Sequence, residues 1–242
     1  MGKTYAITSG KGGVGKSTFS VGLSTAFSKR GKNVLLIDMD EGLRCLDVML
    51  GIDKNIVFDL SDILSGNQLS NAVYDTSIPN LYLIPAPLQC GMINADTFTN
   101  FITEVEKLFD IIIFDFPAGI DFSLYTCLPK ETLFLTVAFP DPVTIRDAAV
   151  VSNKLYEMGL SSRLILNAFD YTLTKKMVFK NIDDIIDQSG LQLLGIVPTS
   201  KELKLLSIKH NLKSNGNAMK AFSRIAGRLM GEKILLPKLK KI

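Results

Sequence analysis

The residues Ser9-Gly-Lys-Gly-Gly-Val-Gly-Lys-Ser-Thr18 carry all eight positions of a phosphate-binding loop: Gly10, four intervening residues, then Gly15, Lys16 and Ser17. The glycines at 10, 12, 13 and 15 let the backbone wrap with its N–H groups turned inward, with Val14 between the last two. The chemistry this fits is the binding and cleavage of a triphosphate. Lys16 would reach the β- and γ-phosphates, and Ser17 would offer its hydroxyl to Mg²⁺. Gly10, Lys11, Gly12, Gly13, Val14, Gly15, Lys16, Ser17 and Thr18 are thus the candidate nucleotide-binding run. Lys11 is a second lysine, directly after the first glycine, where a mononucleotide site needs only one. It reads as a charge meant for a phosphate bound by another subunit.

Gly10-x-Gly12-x-x-Gly15 also fits a dinucleotide fingerprint, with Asp38 ending the next strand where a ribose-binding acid would stand. The Lys16-Ser17 pair decides against it. A pyrophosphate joining two nucleosides needs close backbone approach, not a buried ammonium and a metal-binding hydroxyl.

Two further acids end apolar runs or follow them closely. Asp115, after Ile111-Ile-Ile-Phe114, is the expected Mg²⁺ carboxylate, acting through a bound water. Asp38 would anchor the same metal shell or Lys16. Asp40, two residues on, is better placed to orient an attacking water, so Lys11, Lys16 and Asp40 are the candidate catalytic residues and Ser17, Asp38 and Asp115 the metal set. Gly119, after the Asp115 strand, could bring its N–H to a γ-phosphate and release it after hydrolysis.

These residues need a scaffold that brings strand ends together. Thr4–Thr8, Val34–Asp38, Leu81–Pro85, Ile111–Asp115, Thr132–Phe139, Ser162–Ala168 and Leu191–Val197 read as strands. Phe19, Leu23, Ala26 and Phe27 form one face of a helix, as do Phe98, Phe101, Ile102, Val105 and Phe109 within Asp96–Phe109. Further helices are expected at Asp59–Ser65 and over 142–158, 175–189, 199–209 and 217–230. Apolar strands alternating with helices predict an α/β fold: a three-layer, doubly wound, mostly parallel sheet of the P-loop NTPase class.

Composition sets bounds. At 242 residues with 47% hydrophobic content, one globular domain over 1–231 is expected, followed by a short basic and apolar tail, 232–242. The formal net charge of +3 is too balanced to announce nucleic-acid binding. No apolar run approaches the roughly 20 residues of a membrane span, and no signal peptide is expected, since the chain runs straight into its first strand. Cys45, Cys90 and Cys127 are widely spaced, without Cys-x-x-Cys, and read as reduced thiols of a cytosolic protein. His210, the single histidine, reads as a solvated surface residue.

Taken together these residues resemble the MinD/ParA family of deviant Walker ATPases, and within it the MinD group. The carriers are Lys11-Gly-Gly-Val-Gly-Lys16-Ser17; Asp38-Met-Asp-Glu-Gly-Leu-Arg-Cys-Leu-Asp47, similar to a first switch; Asp115-Phe-Pro-Ala-Gly-Ile120, similar to a second; and Ile145-Arg-Asp-Ala148. Asn167 matches the family's adenine-reading asparagine, and Gly195-Ile-Val-Pro198 its segment near the base. The likeness runs to about Glu232. It implies an ATP hydrolase, slow and partner-stimulated, that alternates between a monomer and an ATP-bound sandwich dimer, with Lys11 contacting the partner's phosphates. It implies ATP and Mg²⁺ as ligands, a MinC-like cargo, a MinE-like or other regulator, and a role in positioning the division site. Such a protein would be cytoplasmic and peripheral on the inner face of the membrane.

Three departures from the family pattern stand out. Cys45 replaces an asparagine, so a partner or dimer contact is expected to differ; Phe116 replaces a small residue; and the tail is short. Leu235, Leu239 and Ile242 would share a helical face at an anionic surface, although Pro237 fits poorly inside a helix. Two tails in one dimer would bind better than one. Other readings of the same fold are a DNA-partitioning or flagellar-positioning ATPase, an ATP-dependent synthase acting on a small molecule, a metal-cluster carrier, and a nucleotide-binding regulator with little turnover.

Overall fold

Along Ile111–Asp115, alternate side chains enter different cores: Ile111 and Ile113 join one, Ile112 and Phe114 the other. The period of two sends successive residues to opposite faces, and here both faces are dry. Tyr5 and Ile7 part from Ala6 in the same way. The computed structural model describes residues 2–119, 122–174, 181–210, 212 and 215–239. Its strands are β1 (Lys3–Thr8), β2 (Val34–Asp38), β3 (Tyr74–Asp75), β4 (Leu81–Ile84), β5 (Ile111–Asp115), β6 (Leu133–Ala138), β7 (Ser161–Phe169) and β8 (Leu193–Pro198). They form one sheet in the order β3-β4-β2-β5-β1-β6-β7-β8. Every pairing is parallel except β3 with β4. This is the three-layer, doubly wound α/β architecture that the strand–helix alternation predicts.

The helices are α1 (Lys16–Ser28), α2 (Leu46–Leu50), α3 (Leu60–Leu64), α4 (Leu69–Ala72), α5 (Ala95–Leu108), α6 (Pro142–Glu157), α7 (Tyr171–Thr174), α8 (Ile182–Ser189), α9 (Lys201–Lys204), α10 (Leu206–Lys209) and α11 (Asn217–Leu229). Phe19, Leu23 and Phe27 of α1 meet Phe222 and Ile225 of α11 in the core on one face. Phe98, Phe101 and Val105 of α5 fill the other. A third cluster joins Ile145 of α6, Ile185 of α8 and Ile196 of β8. Asp141 fixes the start of α6 by accepting from the N–H groups of Val143 and Thr144 at 3.0 and 3.1 Å, ahead of Pro142 in the first turn.

Several sequence expectations need correction. The helix expected over 199–209 is two pieces, α9 and α10, because Leu205 leaves helical backbone values with φ −101° and ψ 6°. The helix expected over 175–189 is described only from Ile182; residues 175–180 lie outside the described residues. The short elements α2, α4, α7 and β3 were not foreseen, being too brief to show a period. His210 is not a solvated surface residue. Its ring packs over Gly51 with Nδ1 buried, because the left-handed turn at φ 52° ending α10 directs it back to α2.

The terminal segment lies on the domain. Glu232 pairs with Arg30, and Arg228 Nε donates to the Ile234 carbonyl at 2.8 Å. Residues 232–238 form no helix, Leu235 is 89% exposed, and Leu239 packs against the third cluster. Lys240, Lys241 and Ile242 lie outside the described residues. No helix among the described residues is long and apolar enough to cross a membrane.

Candidate nucleotide-binding site

β1 lies between β5 and β6, so the loop that leaves it opens at the carboxyl edge of the sheet, where the chain's winding reverses. Gly13 and Gly15 have φ of 79° and 83°, backbone values that side chains resist. Gly15 caps α1, and Lys16, the first residue of that helix, is buried. At Gly10 the constraint is space rather than conformation. A Cβ there would meet the Asp147 carbonyl at 2.6 Å, so the loop is seated against α6. That contact gives the segment Ile145-Arg-Asp-Ala148 a structural role in positioning the loop.

Asp38 and Asp115 pair in register across β2 and β5, both buried. Burial pushes the Asp115 carboxyl up to about 7, and the neighbouring Asp38 charge adds to this; hydrogen bonds from Ser17 and Ser20 and the Lys16 charge oppose it. The Ser20 hydroxyl donates to Asp115 at 2.8 Å. Burial likewise raises Asp38 to about 6, against three opposing backbone N–H groups. Those groups are Asp40, on one carboxylate oxygen at 3.0 Å, and Cys45 and Leu46, on the other at 3.1 and 3.2 Å. Asp38 is therefore the peg around which residues 40–46 are folded. Asp40 is half-buried and raised by burial, with the Lys16 charge acting against the shift.

Lys16, Ser17, Asp38, Asp40 and Asp115 are thus brought together. The hard oxygen donors of Ser17 and Asp115, at a buried carboxylate with no bonded cation among the described residues, suit Mg²⁺. Cys45 stands with them. Its thiol is within hydrogen-bonding reach of Ser17, and burial lifts its pKa to about 11, with Asp38, Asp115 and Asp40 contributing. Cys45, where a partner or dimer contact is expected to differ, thus also lies among the acids of the site.

Gly119, at φ 127°, donates its N–H to the Ser9 carbonyl at 3.1 Å, which ties the segment after β5 to the phosphate loop. Phe116 has a clear physical role. It is buried and meets Tyr125 edge-to-face at 4.6 Å between ring centroids, in an aromatic group that includes Phe122 and Phe134. The Tyr125 hydroxyl in turn lies 2.7 Å from that of Thr8 at the end of β1. Ile120, also part of the expected second switch, lies outside the described residues.

Asn167 Nδ2 donates to the Val14 carbonyl of the phosphate loop at 2.8 Å. Asn167 and Pro198 line one cleft of about 190 Å³ with Gly15, Thr18, Phe139 and Leu203. Such a cleft beside the loop can take a flat base. Lys11 stands apart from this inward cluster. It is exposed, and its ammonium makes no hydrogen bond or ion pair among the described residues.

Sequence reasoning missed Ser20, which lies one helical turn beyond Lys16 and could have been found from that spacing. It also missed Phe139 and Leu203 of the cleft, which carry no local signal. Glu41 was missed too. Its carboxylate accepts from the N–H groups of Gly91, Met92 and Ile93 at 3.1, 2.7 and 2.9 Å, latching two loops together.

A family model described as the CobQ/CobB/MinD/ParA nucleotide binding domain matches residues 5–212. The septum site-determining protein MinD of Thermotoga maritima is 33% identical over 246 residues, covering 98% of this chain and 91% of that protein. The MinD of Bacillus subtilis is 34% identical over 247 residues, covering 98% and 92%. Among solved structures, a chain of the Aquifex aeolicus MinC:MinD cell division protein complex matches with a TM-score of 0.86 at 32% identity, covering 98% of this chain and 99% of that one. A ParA-family ATPase of Chlorobium tepidum, at 21% identity and a TM-score of 0.78, shares the fold.

Proposed function

This chain belongs to the MinD/ParA family of nucleotide-binding proteins, on its MinD side, and from that premise we propose that it is an ATPase that positions the division site by switching between a monomer and an ATP-bound dimer. The observation that carries the reading is the division of labour between two lysines. Lys16 is buried beside Asp40 and Asp115, while Lys11 projects from the same loop into solvent without a partner among the described residues.

The chain's own groups would act as follows. The loop's N–H groups and the start of α1 cradle the phosphates, and Lys16 turns from the acids to the β- and γ-phosphates. Bound Mg²⁺ supplies charge neutralisation on the phosphate oxygens; Ser17 would hold it directly and Asp115 through water, with Asp38 behind them. Asp40 orients the attacking water, a task that needs position more than basicity. Gly119 exchanges the Ser9 carbonyl for the γ-phosphate, so cleavage frees the second switch. Asn167, with one amide N–H given to Val14, keeps its other N–H and its oxygen for the adenine edge. Lys11 of each subunit neutralises transition-state charge on the other's phosphates, in the manner of an arginine finger.

A MinC is joined to MinD in the Aquifex aeolicus complex, and this supports a MinC-like cargo here; a MinE-like or other regulator would stimulate turnover. The tail would place the dimer on the inner membrane face. The partition and synthase readings are less well supported, because relatives at 30% identity or more carry the MinD name. The test is light scattering with and without ATP and Mg²⁺. The wild-type mass should double with ATP, while Lys11→Ala stays monomeric with an unchanged circular dichroism spectrum. An intact dimer in the variant would refute the trans role.

A further inference from the structure

An opening larger than the cleft beside Asn167 lies at the opposite end of the sheet from the phosphate loop. The amino ends of β1, β6, β7 and β8, with the end of α11, surround a cavity of about 580 Å³. The site described above makes no use of it. Ligands of doubly wound folds sit at the carboxyl edge, so the winding of the chain does not explain a cavity here.

Its polar groups are mismatched. Arg228 donates from Nε to the Ile234 carbonyl and from Nη1 to the Leu194 carbonyl, at 2.8 and 2.7 Å, but its Nη2 is buried without an acceptor among the described residues. Among the described residues Arg163 and Lys3 reach only backbone carbonyls, those of Ser162 and Leu229, each at 3.4 Å. None of these three cations is ion-paired with a carboxylate among the described residues. The hydroxyl of Thr132, which is fully buried in the same lining, also lacks a partner among the described residues. Two acids, Glu106 and Glu131, share the lining, so the three cations leave one positive charge in excess. Burial and the nearby Arg224 charge both press on the Arg228 guanidinium, which a counter-ion would relieve.

Leu133, Leu194, Leu229 and Pro129 give the wall an apolar stretch, and the hydroxyls of Thr4 and Tyr5 in it are already hydrogen-bonded. One excess positive charge, orphaned donors and a greasy wall select a particular ligand. The volume falls in the range of about 300–1,000 Å³ typical of small-molecule sites. A dianion would face the two acids with only one charge to offset it. We propose that this cavity binds a small amphipathic monoanion, a carboxylate on an apolar body, with its head group held by Arg228 and Arg163 and its body against the leucines. The step is binding alone, and it stands or falls independently of the nucleotide reading.

Octanoate, octylamine and inorganic phosphate are the probes, titrated calorimetrically into the full chain. Octanoate should bind at one site with a Kd at or below about 1 mM. Octylamine and phosphate should bind far more weakly, since one carries the wrong charge and the other lacks an apolar body. Arg228 also holds the terminal segment, so Arg228→Gln is paired with Arg163→Gln, which loses only a long backbone contact. Each should weaken octanoate binding about tenfold, with ATP binding unchanged. Absence of saturable octanoate binding, equal binding of octylamine or phosphate, or an unaltered Kd in Arg163→Gln would overturn the proposal.

Discussion

Asp38 and Asp115 face each other in register across β2 and β5, two buried carboxyls at adjacent strand ends, with folded-state values of about 6 and about 7. Like charges this close in a dry setting resist joint ionisation. The pair stores an electrostatic cost that a divalent cation would relieve.

The pH dependence follows with a definite sign. Both folded values lie above the unfolded value of 3.8, so the folded chain holds more protons in that window. The stability the pair contributes is full below the unfolded value and is lost as pH rises through the folded ones. Without nucleotide, that contribution should fall by on the order of 6 kcal/mol between about pH 4 and pH 8. Urea unfolding at a series of pH values measures it, and Asp115→Asn should flatten the dependence. The rise in Tm on adding Mg²⁺ and ADP should grow over the same interval; a rise independent of pH would contradict the assignment.

Asp40→Ala should keep ATP binding and lose turnover by about 100-fold or more, since it removes the group that aligns water and leaves the loop intact. The variant should accumulate as an ATP-bound dimer, seen by scattering and by phosphate release. Brisk turnover would show that another group orients the water.

Phe116→Ala would open a hole beside Tyr125 and Phe114, where the closest ring partner lies 4.6 Å away. The expected loss is about 3 kcal/mol in urea denaturation, with a further loosening of the segment that carries Gly119. A change below about 1 kcal/mol would mean the aromatic group collapses without cost.

Removal of residues 233–242 should abolish ATP-dependent pelleting with anionic vesicles while leaving ATP-dependent dimerisation unchanged. The tail must first leave its resting place, because Leu239 packs on the domain and Arg228 holds Ile234. Co-sedimentation with ATP and with ADP checks both points. Pelleting that survives truncation would assign the membrane contact elsewhere.

Much of this protein is written locally. A phosphate loop needs glycines, one lysine and a hydroxyl at fixed spacing, and a strand buried on both faces must be apolar throughout. Gly10–Ser17 and Ile111–Asp115 were therefore legible without coordinates, as was the doubly wound sheet. Strand order and pairing decided the rest. Only the pairing of β2 with β5 sets Asp38 beside Asp115, and only the approach of β7 to the loop lets Asn167 reach Val14. The inward turn of Cys45, the ring of His210 over Gly51 and the excess charge around Arg228 likewise join residues far apart in the chain. Local spacing dictates what a short segment can do, because its geometry is set by a few bonds. Which segments meet depends on how the whole core closes, and no window of sequence contains that.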